Sequence, residues 1–177
     1  FAETELRQPR VNCIETWYEH SRNDMHRMRA TTCLALTQSD GYCLFSDPND
    51  LPSPDHRHDW YPFWDVPLGK PVSEAGIVEQ DGSSSRQFEA GPVSYNPMGN
   101  SEKDIRFDEP RRSVVTGLIA AEHNVPAFDG DIFMRADVAL ERADSLAKPS
   151  PTTMPDIRRG LTGWRILERG AHLIEGF

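Results

Sequence analysis

Several things are scarce in this 177-residue chain, and each scarcity closes off a class of function. Lys and Arg number only 19 against 28 Asp and Glu, for a net charge of −9. A nucleic-acid partner needs clustered cations, so none is expected. Arg111-Arg112 and Arg158-Arg159 are isolated pairs and read as solvated surface. No apolar run reaches the ~18 residues of a spanning helix, so no membrane is implied. The first ten residues are polar and charged, unlike a secretory signal. Because the chain opens on Phe1 rather than Met, further sequence upstream is expected, and the compartment stays open.

Chemistry-bearing motifs are equally sparse. Only three cysteines occur, Cys13, Cys33 and Cys43, without metal-type spacing and inside apolar patterns. They read as small buried hydrophobes; a single disulfide would leave one thiol over. No glycine-rich phosphate loop is present, and Ser83-Ser84-Ser85 lacks the flanking glycines of a nucleophile elbow. His56-Arg57-His58-Asp59 has ligand-type side chains but no standard spacing, and no further cluster supports it. Asp129-Gly130-Asp131 is too short for a calcium loop and reads as a hairpin turn. No metal or cofactor is therefore expected.

What is there falls into three parts, 1–65, 66–134 and 135–177. In the first, Val11 to Trp17 is β-prone, and Asp24 to Thr37 has helical spacing through Met25, Met28, Thr32 and Ala35 or Leu36. Ser21 with Asp24 resembles a capping box before that helix, and Ser39-Asp40-Gly41 a stop after it. Tyr42-Cys43-Leu44-Phe45 is a compact apolar strand ended by Asp47-Pro48. Strand, helix and strand over about 35 residues is the size of one βαβ unit with parallel, buried strands. Such a unit exposes two sheet edges and needs a larger sheet or barrel around it, so poor solubility and no turnover are expected of the piece alone.

Asp50 to Pro71 is rich in Pro, Asp, His and aromatics and reads as a long ordered loop. Beyond it, short runs at Gln87-Phe88, Val93-Ser94-Tyr95, Ile105-Arg106-Phe107, Val114-Val115 and Ile132-Phe133 alternate with turn-type segments. A small antiparallel β-sandwich is predicted for 66–134. Arg135 to Ala147 has weak helical spacing, and the remaining tail has no clean period.

In barrels of alternating strands and helices, ligands bind at the carboxyl ends of the strands. Glu15 and Asp47 fall there. Ends of neighbouring parallel strands lie ~4.8 Å apart, within reach of the roughly 5–9 Å carboxylate separations of glycosidases. Trp17, Tyr18, Trp60 and Tyr61, with Trp64, add flat apolar faces that suit a sugar ring. The plainer readings stand beside these. A carboxylate at a strand end often caps a helix or pairs with an Arg, Asp47 before proline can start a turn, and rim aromatics often only pack.

Several of these segments also resemble a family. Asn12-Cys13-Ile14-Glu15-Thr16-Trp17-Tyr18, Ser39-Asp40-Gly41-Tyr42, and His58-Asp59-Trp60-Tyr61-Pro62 are similar to the closing part of (β/α)8-barrel glycoside hydrolases. In these a "Leu-Gly-x-Pro" step, here Leu68 to Pro71, precedes a C-terminal β-sandwich whose strand reads "Arg-x-Phe-x-x-Gly-x-Val-x-x-Asn-Pro", here Arg86 to Pro97. Thr116-Gly117 and Phe128 to Ile132 look like its later strands. The likeness covers about Arg10 to Met134 and not the tail. It implies an α/β plus all-β architecture, the terminal βαβ portion of a barrel followed by a sandwich. It also implies a carbohydrate substrate and hydrolysis of glycosidic bonds, without saying which carboxylate acts. The alternative is a non-catalytic β-module that binds carbohydrate or braces the barrel.

Overall fold

The computed structural model describes residues 13–17, 24–40, 42–46 and 61–138, the two short strands by their backbone alone. The first part folds as β1 (Cys13–Trp17), α1 (Met25–Gln38) and β2 (Tyr42–Ser46). β1 and β2 run parallel, in register from Cys13 opposite Tyr42 to Trp17 opposite Ser46. The βαβ expectation is met within a residue or two. The cap falls one turn later than expected. Asp24 is the N-cap and its carboxylate accepts the Arg27 amide at 3.0 Å, which satisfies one orphan donor of the first turn. Ser21 and Gly41 lie outside the described residues.

A 3-10 turn at Pro62–Asp65 leads into the second part. There β3 (Ile77–Val78), β4 (Ser84–Gln87), β5 (Pro92–Asn96), β6 (Lys103–Ser113), β7 (Ile119–Val125) and β8 (Asp129–Arg135) form one antiparallel sheet in the order β3-β4-β5-β8-β6-β7. β8 joins its halves: Asp129 to Ile132 pair with β5, and Phe133 to Arg135 with β6. The antiparallel β-rich module is thus present, with hydrogen bonding linking all six strands rather than dividing them into two sheets.

Three local expectations are corrected. Asp129-Gly130-Asp131 is not a turn but the start of β8, and the chain reverses just before it, where Phe128 takes a positive φ of 55°. Val114-Val115 and Thr116-Gly117 are not strand but the β6–β7 turn, in which the Gly117 amide bonds the Ser113 carbonyl at 2.9 Å. Gly117 has a φ of 73°, a backbone state that costs glycine little. Arg135 closes β8 and a turn follows, so the expected helix does not begin there; 139–177 lie outside the described residues.

Helix α1 is buried on more than one side because it lies between two sheets. It contacts β1 and β2 and also β4, β5 and β8. The residues turned to the antiparallel sheet, His26, Arg29, Cys33 and Thr37, recur at the three-to-four spacing of one helix face. Contact is close where the facing residues are small. A Cβ added at Gly130 would overlap the Cys33 side chain, and one at Gly76 would overlap the Thr37 carbonyl. Thr37 and Ser84 hydroxyls meet at 2.7 Å. The apolar core gathers Met28 and Leu36 of α1, Phe63 and Trp64 of the turn, and Phe88 and Ile132 of the sheet. On the other face of β8, Phe133 stacks against Phe107 and His123 of the long hairpin, with centroids 5.1 and 5.0 Å away.

The C-terminal end of α1 is held by Arg86. α1 has no basic residue in its own last turn, and its final carbonyls carry a partial negative charge. The buried Arg86 guanidinium donates to the Ser39 carbonyl at 2.8 Å, the Asp40 carboxylate at 2.7 Å, and the Ser73 and Glu74 carbonyls at 3.0 and 2.9 Å. It ties the α1–β2 connection to the bend that precedes β3. Arg86→Met keeps the apolar stem but leaves the Asp40 carboxylate and these carbonyls without their donor. The variant is expected to lose about 3–5 kcal/mol of stability in denaturant titrations. Arg86→Lys should recover only a minor part, since one ammonium cannot span acceptors fixed for a planar fork.

Candidate functional site

The site expected from sequence lies at the carboxyl ends of β1 and β2. The register sets these ends level, with Trp17 opposite Ser46. Glu15 lies two residues before the end of β1, opposite Leu44. Asp47 follows Ser46 directly in the chain. Tyr18, Asp47 and Trp60 lie outside the described residues, as does His56 to Asp59. Tyr61 is described, and it is buried at 4% exposure, edge-on to Trp64 with centroids 5.0 Å apart. Its ring belongs to the core between α1 and the sheet rather than to an open face. Trp64 is also enclosed, and its indole N–H donates to the Thr32 hydroxyl at 2.9 Å. Among the described residues no group of three or more His, Cys, Asp or Glu side chains is placed to hold a metal.

Next to the first turns of α1, the helix that leaves this end of β1, stands a buried carboxylate the sequence reading missed. Asp129 accepts from Arg29 through both oxygens, at 2.8 and 2.5 Å, and lies 2.7 Å from Nδ1 of His26. The two-pronged arginine contact fixes orientation as well as charge. Asp129 is almost fully enclosed and His26 mostly exposed, so the imidazole forms the solvent side of the cluster. Asp-Gly-Asp is a common turn composition, and only the tertiary partner one hundred positions earlier, Arg29, gives Asp129 its role.

Two residues further along β8, Asp131 organises the β6–β7 turn. Its carboxyl accepts from the Ile132 amide at 2.7 Å and the Val115 amide at 3.2 Å, and meets the Ser113 hydroxyl. Ser113 in turn accepts from the Thr116 amide at 2.9 Å. Burial pushes this carboxyl up to about 6, against the downward pull of its hydrogen bonds and with a smaller push from Asp129. Desolvation outweighs three favourable hydrogen bonds here.

The residues carrying the family-like pattern also take definite places. Arg86 clamps α1, and Phe88 lies in the core beneath the Arg86 guanidinium at 5.7 Å. Gly91 approaches the Phe133 carbonyl so closely that a Cβ would overlap it. Val93 is fully buried. Asn96 donates to the Ser101 and Val125 carbonyls at 2.9 and 3.1 Å and accepts from Asn100, stapling the turn after β5 to the end of β7. In the preceding step Leu68 is buried and Gly69 takes a φ of 76° against the Glu89 side chain. Each of these positions has a mechanical reason for its residue type, and none of them presents a reactive group to solvent.

No family model, curated protein or solved structure matches the chain. Its function therefore has to be argued from its own residues.

Asp131 makes stability depend on pH in a specific direction. Its folded carboxyl keeps a proton to higher pH than the unfolded one, which titrates near 3.8. The stabilisation is complete below that value and is lost as pH rises through about 6. The loss amounts to about 3 kcal/mol at most. Asp131→Asn mimics the protonated acid, with an oxygen for the two amides and an N–H for Ser113. Urea unfolding between about pH 4 and pH 7 should show a downward slope for the native chain that is absent in the variant.

Proposed function

We propose that this chain is the C-terminal portion of a glycoside hydrolase, with β1-α1-β2 as the closing part of a (β/α)8 barrel. The antiparallel module, with the β6–β7 hairpin folded over β8, would be its β-sandwich. The observation that supports this most is the parallel, level pairing of β1 and β2, in which Glu15 lies two residues before the carboxyl end of β1. A right-handed strand–helix–strand unit repeated around a barrel builds its ligand site at those ends. Also in favour is the pattern from Arg86 to Asn96, whose residue types the packing accounts for one by one.

In this reading one carboxylic acid protonates the leaving oxygen, and a second carboxylate attacks the anomeric carbon or activates water. Glu15 is the resident candidate for either role or for holding a sugar hydroxyl, with Asp47 in support. Trp17, Tyr18 and Trp60 supply apolar faces beside it. Tyr61 then acts from within the core, by holding the rim.

A second reading is favoured by the interface between module and helix. Arg86 and Asp129 put charged groups of the module against the two ends of α1, and the module's Tyr95 packs partly against the core. Such a module braces the barrel without touching sugar.

Glu15→Gln in the full-length protein should lower turnover of aryl glycosides about tenfold or more, with substrate affinity less affected. Unchanged turnover removes Glu15 from the mechanism. Calorimetric titration of the full chain and of its Glu15→Gln, Trp17→Ala variant with a panel of neutral glycans tests the bracing reading: saturable heat that survives in the variant assigns binding to the module, and silence leaves it as a brace.

A further inference from the structure

Arg111 of β6 and Arg135 of β8 are directly opposite in the antiparallel register. Directly opposed residues put their side chains on one face of a sheet, with Cβ atoms ~5 Å apart. Like charges in that relation repel, so the pair destabilises the sheet unless something lies between them. Among the described residues Arg111 makes no ion pair with a carboxylate. Its guanidinium lies over the Phe107 ring at 5.6 Å, a contact that orients the fork and leaves its N–H groups uncommitted. Among the described residues Arg135 pairs with Asp137, at 3.5 Å, and both side chains are more than half exposed. An exposed pair of that kind contributes little and exchanges readily.

The backbone beneath the two arginines is held firmly. The Arg111 carbonyl accepts from Nε2 of His123 at 2.9 Å, and the Arg135 amide donates to the Ala90 carbonyl at 3.2 Å. Ala90 precedes Gly91, whose close approach to Phe133 locks that end of β8. Two guanidiniums on a rigid ladder, one of them stacked on an aromatic ring, suit a ligand oxyanion that takes two-pronged hydrogen bonds from each side.

The geometry points to an anion-binding site at Arg111 and Arg135, taking one carboxylate or sulfate group of a ligand, either borne on an acidic sugar or free in solution. It is independent of Glu15 and of the glycosidase reading. Arg106 is the internal comparison. It lies on the same strand, is well exposed, and is paired with Glu122 at 3.1 Å, so it has a partner already.

The test is calorimetric titration of the full chain at low ionic strength with sodium sulfate, glucuronate and glucose. Sulfate or glucuronate should bind, and Arg111→Gln or Arg135→Gln should weaken binding by about tenfold or more, as expected for loss of a charge-assisted pair. Arg106→Gln should leave it unchanged, and added chloride should weaken it. Binding of glucuronate well above sulfate identifies an acidic sugar as the source, and equal binding identifies the free oxyanion. Either result supports the site. Absence of binding to both anions, glucose binding as tightly as glucuronate, or affinity in the two arginine variants unchanged from that of the native chain overturns it. Circular dichroism of each variant keeps loss of fold apart from loss of binding. A turnover-neutral Glu15→Gln alongside intact anion binding would count against the glycosidase reading alone.

Discussion

The docking of α1 onto the antiparallel sheet is the contact on which the described structure turns, and it is electrostatic at both ends and steric in the middle. Asp129 of β8 grips Arg29 and His26 near the start of the helix, and Arg86 of β4 gathers the carbonyls at its finish. Between them Gly130 and Gly76 remove the side chains that would hold helix and sheet apart. The polarity follows the helix dipole at the Arg86 end, where a cation meets carbonyls without internal partners. Because Asp129 and Arg86 are buried, removing a partner from either leaves an uncompensated charge in the interior. The parallel strand pair inherits its position from this arrangement, since β1 and β2 adjoin the same helix.

Much of the local structure was legible in the residues. Met25, Met28, Thr32 and Leu36 mark α1, and Tyr42 to Phe45 mark a strand whose parallel partner is implied by the short connection. Ile105 and Phe107 alternate with exposed Asp104 and Arg106, as expected for a strand with one face in water. The failures have a common origin in tertiary contacts. β7 contains Ala120, Ala121 and Glu122, poor strand formers, and is a strand because β6 pairs with it and His123 and Val125 are buried. Val114 and Val115 favour strand by type, yet the Asp131 carboxyl takes the Val115 amide and bends the chain. Asp129-Gly130-Asp131 has the composition of a turn, and becomes strand because Arg29 and Cys33 of the helix lie against it.

The candidate site was less legible than the fold. Glu15 was chosen by an argument about strand ends, and the register sets it two residues before the end of β1. Tyr61 was grouped with the sugar-facing aromatics because composition does not distinguish a ring on a rim from a ring under it. The buried neighbours Phe63, Trp64 and Leu36 draw it inward. Arg111 read as solvated surface beside Arg112, since nothing in the local sequence reveals that Arg135 lies across from it. In both cases the surroundings of the side chain come from distant parts of the chain.

The separation of one hundred positions between Arg29 and Asp129 has a consequence for biosynthesis. Chains emerge at about 5–20 residues per second, so α1 waits on the order of 5–20 s for the strand that covers it. During that interval Cys33, Thr37 and the Arg29 guanidinium have no sheet to meet. The nascent segment therefore has a window in which a chaperone or a neighbouring chain competes with β8 for the same helix face.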